Sequence, residues 1–147
     1  MDQAKNGIIL ISFDMISNID HILSNINDSL IKIFKQFPKL TFLLNYKIDN
    51  DFITDEIPNI ITKNWIPQED LLAHANLHAL ITCCDWNTIM QAAYAGIPLI
   101  CIPFSTEQIH NSRVAEHAKI AIIIKKLTKE NLANALNNII HSDINID

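Results

Sequence analysis

The sequence predicts a doubly wound α/β domain: one parallel sheet with helices on both faces, residues 1–147 forming a single unit. Three observations predict it. Short β-branched runs alternate with helical patterns, which is the signature of βαβ units and a parallel sheet. A chain of 147 residues with 49% hydrophobic content is long enough for one core and too short for two. No internal repeat or low-complexity run breaks the alternation, although isoleucine and asparagine are used heavily.

Taken in order, the apolar run GIILISF at 7–13 is the first strand. It is no secretion signal, because a single lysine precedes it, Asp14 stops it and no small-residue cleavage pattern comes after it. Ile19, Ile22, Leu23, Ile26, Leu30, Ile33, Phe34 and Phe37 then recur three and four apart, an apolar stripe along one face of a helix that Pro38 ends. The second strand is 41–46. Asp49, Asn50, Asp51, Asp55 and Glu56 make 47–59 a polar surface loop. Further strands lie at 60–63, 79–82, 98–102 and 120–124, interleaved with helical patterns at 69–74, 86–95, 107–119 and 129–141, the last opened by a Thr128 cap. The whole is a Rossmann-like sheet.

Composition excludes several classes of partner. A formal charge of −5, with 11 basic residues scattered singly, offers no footprint for a nucleic-acid backbone. No apolar segment approaches the ~18 residues needed to span a bilayer, the longest being 98–104 and 120–124. The three cysteines form no CxxC pair and no disulfide framework, so a reduced environment is expected and the chain as given reads as soluble and cytoplasmic.

In an open parallel sheet, ligands sit beyond the carboxyl ends of the strands, where the loops 64–68, 83–88 and 103–108 converge. These loops offer an aromatic face at Trp65, an amide at Gln68, and polar groups at Asn87 and Thr88; a helix starting near Trp86 aims free N–H groups at an anion. Gln91, Glu107 and Gln108 can bond sugar hydroxyls, which completes a toolkit for a nucleotide sugar. Singly, each has a plainer role: Trp65 as a core aromatic, Thr88 as a cap, Glu107 and Gln108 as a solvated helix start. Metal binding is not expected, since His74, His78, Cys83 and Cys84 match no zinc module. Nor is Cys83 a nucleophile, because nothing nearby supplies a base or lowers its pKa.

The joint spacing carries more than the single residues. Trp65, Pro67, Gln68, Leu71, Leu72, His74, Asn87, Thr88, Gly96, Pro98, Pro103 and Gln108 fall in register with the donor-binding signature of the UDP-glycosyltransferases, which this chain resembles. NGIILISFDMIS resembles that family's opening strand and turn, and FPKLTFLLNY its next strand, while Asn111 and 127–132 resemble the segment C-terminal to the signature. The resemblance implies the C-terminal, donor-binding half of a GT-B glycosyltransferase of the inverting, glucuronosyl- or glucosyl-transferring type. It implies that Trp65 stacks on uracil, Gln68 bonds the base or ribose, and Cys83, Asp85, Trp86, Asn87 and Thr88 line the diphosphate. Gln91 takes the place of the ribose-binding glutamate, and Glu107 with Gln108 that of the sugar-binding pair. The co-substrate is a UDP-sugar, with no cofactor and no metal. The partner is an N-terminal acceptor-type domain, which in the family carries the catalytic base, so the isolated chain is expected not to transfer sugar. A full-length animal-type enzyme would be membrane-associated.

The chain departs from the pattern around the phosphates. Cys83, Cys84 and Asp85 stand where the family has a histidine and small residues or glycine, Asp14 replaces a glycine of the first turn, and the glycine pair near 119–121 is gone. Cysteine lacks the histidine N–H, glycine permits φ > 0, and an aspartate beside a diphosphate adds repulsion. The alternative function is therefore a degenerate, non-catalytic binding or interaction module with the same fold.

Overall fold

The structure, a computed structural model, describes residues 7–12, 32–44, 59–62, 72–73, 77–125 and 128–141. Among these, six strands form one sheet: β1 (Ile8–Ser12), β2 (Thr41–Leu44), β3 (Ile60–Thr62), β4 (Leu77–Thr82), β5 (Leu99–Cys101) and β6 (Ala121–Ile123). Their order is β3-β2-β1-β4-β5-β6 and every pairing is parallel. All six expected strands are present. β4 begins two residues before the expected Ala79, because Leu77 is buried and His78 exposed, an inward and outward alternation that still fits a strand. The β1–β4 register shifts between Ile8 and Ile9, opposite His78. Gly7 has φ +113, and a Cβ there would collide with the His78 imidazole, so the entry to β1 needs glycine.

Three long helices are described: α1 (Trp86–Ala95), α2 (Thr106–His117) and α3 (Lys129–His141). A helical stretch at 32–36 is the described part of the first expected helix. The expected strand ends at 13, 45–46 and 63, the loop residues 47–58 and most of the helical pattern 69–74 lie outside the described residues.

The sheet is sandwiched, since β1 is buried along its whole length, as a strand covered on both faces must be. On one face, Ile9, Ile11, Phe42, Ile81 and Ile100 meet Leu132, Leu136 and Ile139 of α3 together with Ile33 and Phe34. The Phe34 and Phe42 rings lie 4.4 Å apart, a tilted pair that pins 32–36 to the sheet. The other face packs Leu10, Leu80, Leu99 and Cys101 against Ile89 and Ala92 of α1 and Ala115 of α2. Asn59 fastens the edge between these layers: its Nδ2 donates to the carbonyls of Phe34, Phe37 and Leu40 at 3.0, 3.1 and 3.0 Å.

The helix boundaries are set by their caps. Thr128 Oγ1 accepts from the Asn131 N–H at 3.1 Å, the cap expected for α3. α1 stops at Gly96, whose φ of 75° lets Gly96 N–H reach Ala93 O and Ile97 N–H reach Ala92 O. α2 stops the same way, Lys119 N–H bonding Glu116 O and Ile120 N–H bonding Ala115 O, but here a lysine holds the left-handed conformation at φ 64°. The expected helix therefore ends two residues early, at His117 rather than 119.

Candidate functional site

The strand order reverses direction at β1 and β4, so a crevice opens beyond their carboxyl ends. Ser12 and Thr82 face each other there, both buried. Thr82 Oγ1 accepts from the Cys84 N–H at 3.4 Å and anchors the turn after β4.

That turn, 83–85, sends successive side chains in opposite directions. Cys83 joins the core cluster shared with α3, while Cys84 joins the cluster shared with α1 and α2. Cys84 has φ 66°, the left-handed region that glycine occupies freely. The expected restriction by cysteine is thus not avoided by another conformation; the chain adopts the glycine-like backbone with a cysteine in it, at a cost of about 1–2 kcal/mol. Burial pushes the Cys83 thiol up, and the Asp85 carboxylate pushes it further the same way, which favours the protonated thiol over the nucleophilic thiolate. Because the Cys83 side chain is buried, the residue can offer this turn only its backbone.

Asp85 is the N-cap residue of α1 in extended conformation, and its side chain makes no capping hydrogen bond. The first intrahelical bond runs from Ile89 N–H to Asp85 O at 3.1 Å. The N–H groups of Trp86, Asn87 and Thr88 therefore receive nothing from the cap side chain, and they point out of the helix end toward the crevice. Trp86 and Asn87 are exposed, Thr88 is buried and Gln91 is half-buried one turn on.

The next turn, after β5, is built differently. Ser105 Oγ accepts from the Gln108 N–H at 3.2 Å, and Gln108 Oε1 accepts from the Phe104 N–H at 2.8 Å. With its oxygen engaged, the Gln108 amide keeps its NH2 for donating to an outside hydroxyl. Glu107 is exposed in the first turn of α2, where its charge suits the helix dipole. The structure thus brings Cys83, Asp85, Trp86, Asn87, Thr88, Gln91, Glu107 and Gln108 to two neighbouring turns at one end of the sheet. Trp65 and Gln68 lie outside the described residues, as do Asp14 and His74.

One feature escaped the sequence. Cys84 and Cys101 form a disulfide, their Cα atoms 5.5 Å apart. This corrects the expectation of three reduced thiols, and with it the cysteine argument for a reducing compartment; only Cys83 is free. The signal was the strand register: Thr82 pairs with Cys101 on the adjacent strand, which leaves Cys84 just past the same level. A bonded Cys84 is also lost to any metal. Asn111 Nδ2 and Ser112 Oγ, on the buried face of α2, have no hydrogen-bond partner. Among the described residues no helix is long and apolar enough to cross a membrane.

Known proteins give the arrangement a context. The family profile described as UDP-glucoronosyl and UDP-glucosyl transferase matches residues 2–146. A Caenorhabditis elegans protein named as a UDP-glucuronosyltransferase, ugt-47, is 38% identical over 120 residues, covering 79% of this chain and 22% of its own length. The chain thus spans about a fifth of that relative. Among solved structures, the glycotransferase of kitacinnamycin superposes with a TM-score of 0.79 at 19% identity, covering 92% of this chain and 35% of that one. LpCGTa in complex with UDP superposes with a TM-score of 0.77 at 15% identity, covering 94% and 34%. At these identities the likeness is one of fold, and that fold is the GT-B type.

Proposed function

Because the chain belongs to the UDP-glucoronosyl and UDP-glucosyl transferase family, we propose that it binds a UDP-sugar as the donor half of an inverting glycosyltransferase. The observation that carries this reading is the open N-terminus of α1 at the sheet's switch point, where Asp85 caps nothing and three backbone N–H groups converge. Diphosphate oxygens take those N–H groups and the Asn87 and Thr88 side chains. Gln91 bonds the ribose, and Glu107 with the NH2 of Gln108 holds the sugar hydroxyls; Trp65 stacks on the base and Gln68 bonds its edge. No group in this set activates an acceptor hydroxyl, so transfer requires an acceptor-type domain that brings a base within hydrogen-bond reach. The whole is one donor domain, with the UDP-sugar as co-substrate and neither metal nor cofactor.

A second reading is favoured by one residue. The Asp85 carboxylate stands at the N-cap of α1, where a diphosphate would sit, and like charges there repel. If it prevails, the fold serves as a non-catalytic binding or interaction module.

Calorimetric titration of the chain with UDP and UDP-sugars separates the two. The donor reading expects saturable binding that Trp65→Ala weakens at least several-fold, since stacking a base on an aromatic side chain contributes ~1–3 kcal/mol. No heat of binding at millimolar UDP, from a chain with its secondary structure intact, would leave the module as the function.

A further inference from the structure

We propose that the Cys84–Cys101 disulfide is the positioning element of the donor site, holding the turn before α1 in its binding shape, so that donor affinity depends on the bridge's oxidation state. This rests on the donor reading above. Three observations on the turn support it. Cys84 keeps φ 66°, a conformation that a non-glycine residue disfavours. Besides its packing, it is held by a long hydrogen bond, 3.4 Å from its N–H to Thr82 Oγ1. The Asp85 side chain adds no cap.

A bridge across 17 residues of sequence holds Cys84 in a backbone region that a non-glycine residue otherwise disfavours. The bond also ties the turn to the end of β5, a strand fixed on both sides by β4 and β6. Residue 84 is one position before the N-cap, so its conformation sets where the Trp86, Asn87 and Thr88 N–H groups aim. Glycine at this place would reach the same φ unaided; cysteine reaches it tied to its neighbour.

Opening the bridge takes two electrons and two protons. A dithiol reductant attacks one sulfur, the S–S bond breaks, and resolution of the mixed disulfide leaves two protein thiols and the oxidised dithiol. Cys84 is then free to leave the left-handed region, and the helix N–H groups lose their common aim. Both cysteines are fully buried, so the reductant reaches the bond only when the turn opens. By linkage, bound UDP must oppose reduction at equilibrium by the same factor that oxidation favours UDP.

The test is UDP calorimetry on the oxidised chain, the chain reduced with dithiothreitol, the reoxidised chain and a Cys101→Ser variant, each with far-UV circular dichroism. Reduction is expected to weaken UDP at least fivefold with the spectrum unchanged, and reoxidation to restore it. Cys101→Ser should match the reduced chain with or without reductant. Maleimide labelling after timed reduction should show UDP protecting Cys84 and Cys101. Affinities within twofold across the redox states, binding by the reduced chain alone, or labelling that UDP does not slow would each overturn the proposal. So would a reduced chain that has lost its secondary structure, since the bridge would then be a fold staple. Absence of UDP binding in every form would instead overturn the donor reading, and this inference with it.

Discussion

The turns after β4 and β5 are the same piece of topology, side by side at one edge of the sheet, and they are held in opposite ways. After β5, side chains do the holding: Ser105 takes the Gln108 N–H and Gln108 takes the Phe104 N–H. After β4, the turn is fastened from behind, by a covalent bond to the neighbouring strand and a long bond to Thr82 Oγ1, and the Asp85 side chain at the cap position makes no capping bond. A helix start closed by its own side chains has used part of the donor set that an anion would need. One fastened through the residue before its cap keeps that set open. Under the donor reading, α1 is the helix that offers backbone to a ligand and α2 the one that offers side chains.

The largest expected effect comes from removing the covalent hold. Cys101→Ala should lower unfolding stability by about 2–4 kcal/mol, read as a shift in the urea midpoint that vanishes when wild type and variant are compared under reductant. A variant as stable as the oxidised wild type would mean the turn is held by packing, and the contrast between the two turns would collapse.

Next is the capped helix, where Ser105→Ala should cost about 1 kcal/mol. Asp85→Ala, which removes no capping bond, should cost much less in the same urea titration. Equal losses would show that both helix starts depend on their caps.

Charge gives a comparable but salt-sensitive effect. Asp85→Asn removes one negative charge at nearly constant shape and should tighten UDP by up to about 1 kcal/mol in a partly solvated turn. Repeating the titration in high salt should shrink the gain; a gain indifferent to salt would assign it to hydrogen bonding instead.

The smallest expected effect lies at the other helix ends, which extend the comparison. α1 ends on Gly96 and α2 on Lys119, both left-handed. Lys119→Gly should raise stability by about 0.5–1 kcal/mol, because glycine occupies that region without the clash of a Cβ. A loss in the thermal midpoint would mean the lysine side chain makes up for its backbone.

The strands were legible in the sequence because short β-branched runs such as IILIS, buried along its whole length, leave no competing pattern. α1 was legible from Gly96 and Pro98 at its end and from Ile89 and Ala92 on its buried side. That the turns carrying Asn87, Thr88, Glu107 and Gln108 lie side by side was legible from the doubly wound pattern, whose loops 83–88 and 103–108 follow neighbouring strands. The disulfide was not, because pairing of Cys84 with Cys101 depends on which strands are neighbours and on their register. The loop ending at Asn59 gave no hint that its last residue would bond three carbonyls, for composition says that a segment is polar and not where its amides go. Nor did composition show that Cys84 and Lys119 hold the left-handed backbone that glycine favours; φ is a property of the turn, and side-chain identity only sets its cost.

Among the described residues, the two outer strands, β3 and β6, are three residues each. A sheet rich in isoleucine is a template for aggregation wherever its rim is open, because a free row of N–H and C=O groups recruits strands from other molecules. Here the longest and most apolar strands, β1 and β4, are paired on both sides, and the rim presents the shortest. An incoming strand would find too few backbone groups in line to hold it. The longest isoleucine-bearing strands are thus gathered in the paired middle of the described sheet, away from the rim where an added strand would begin.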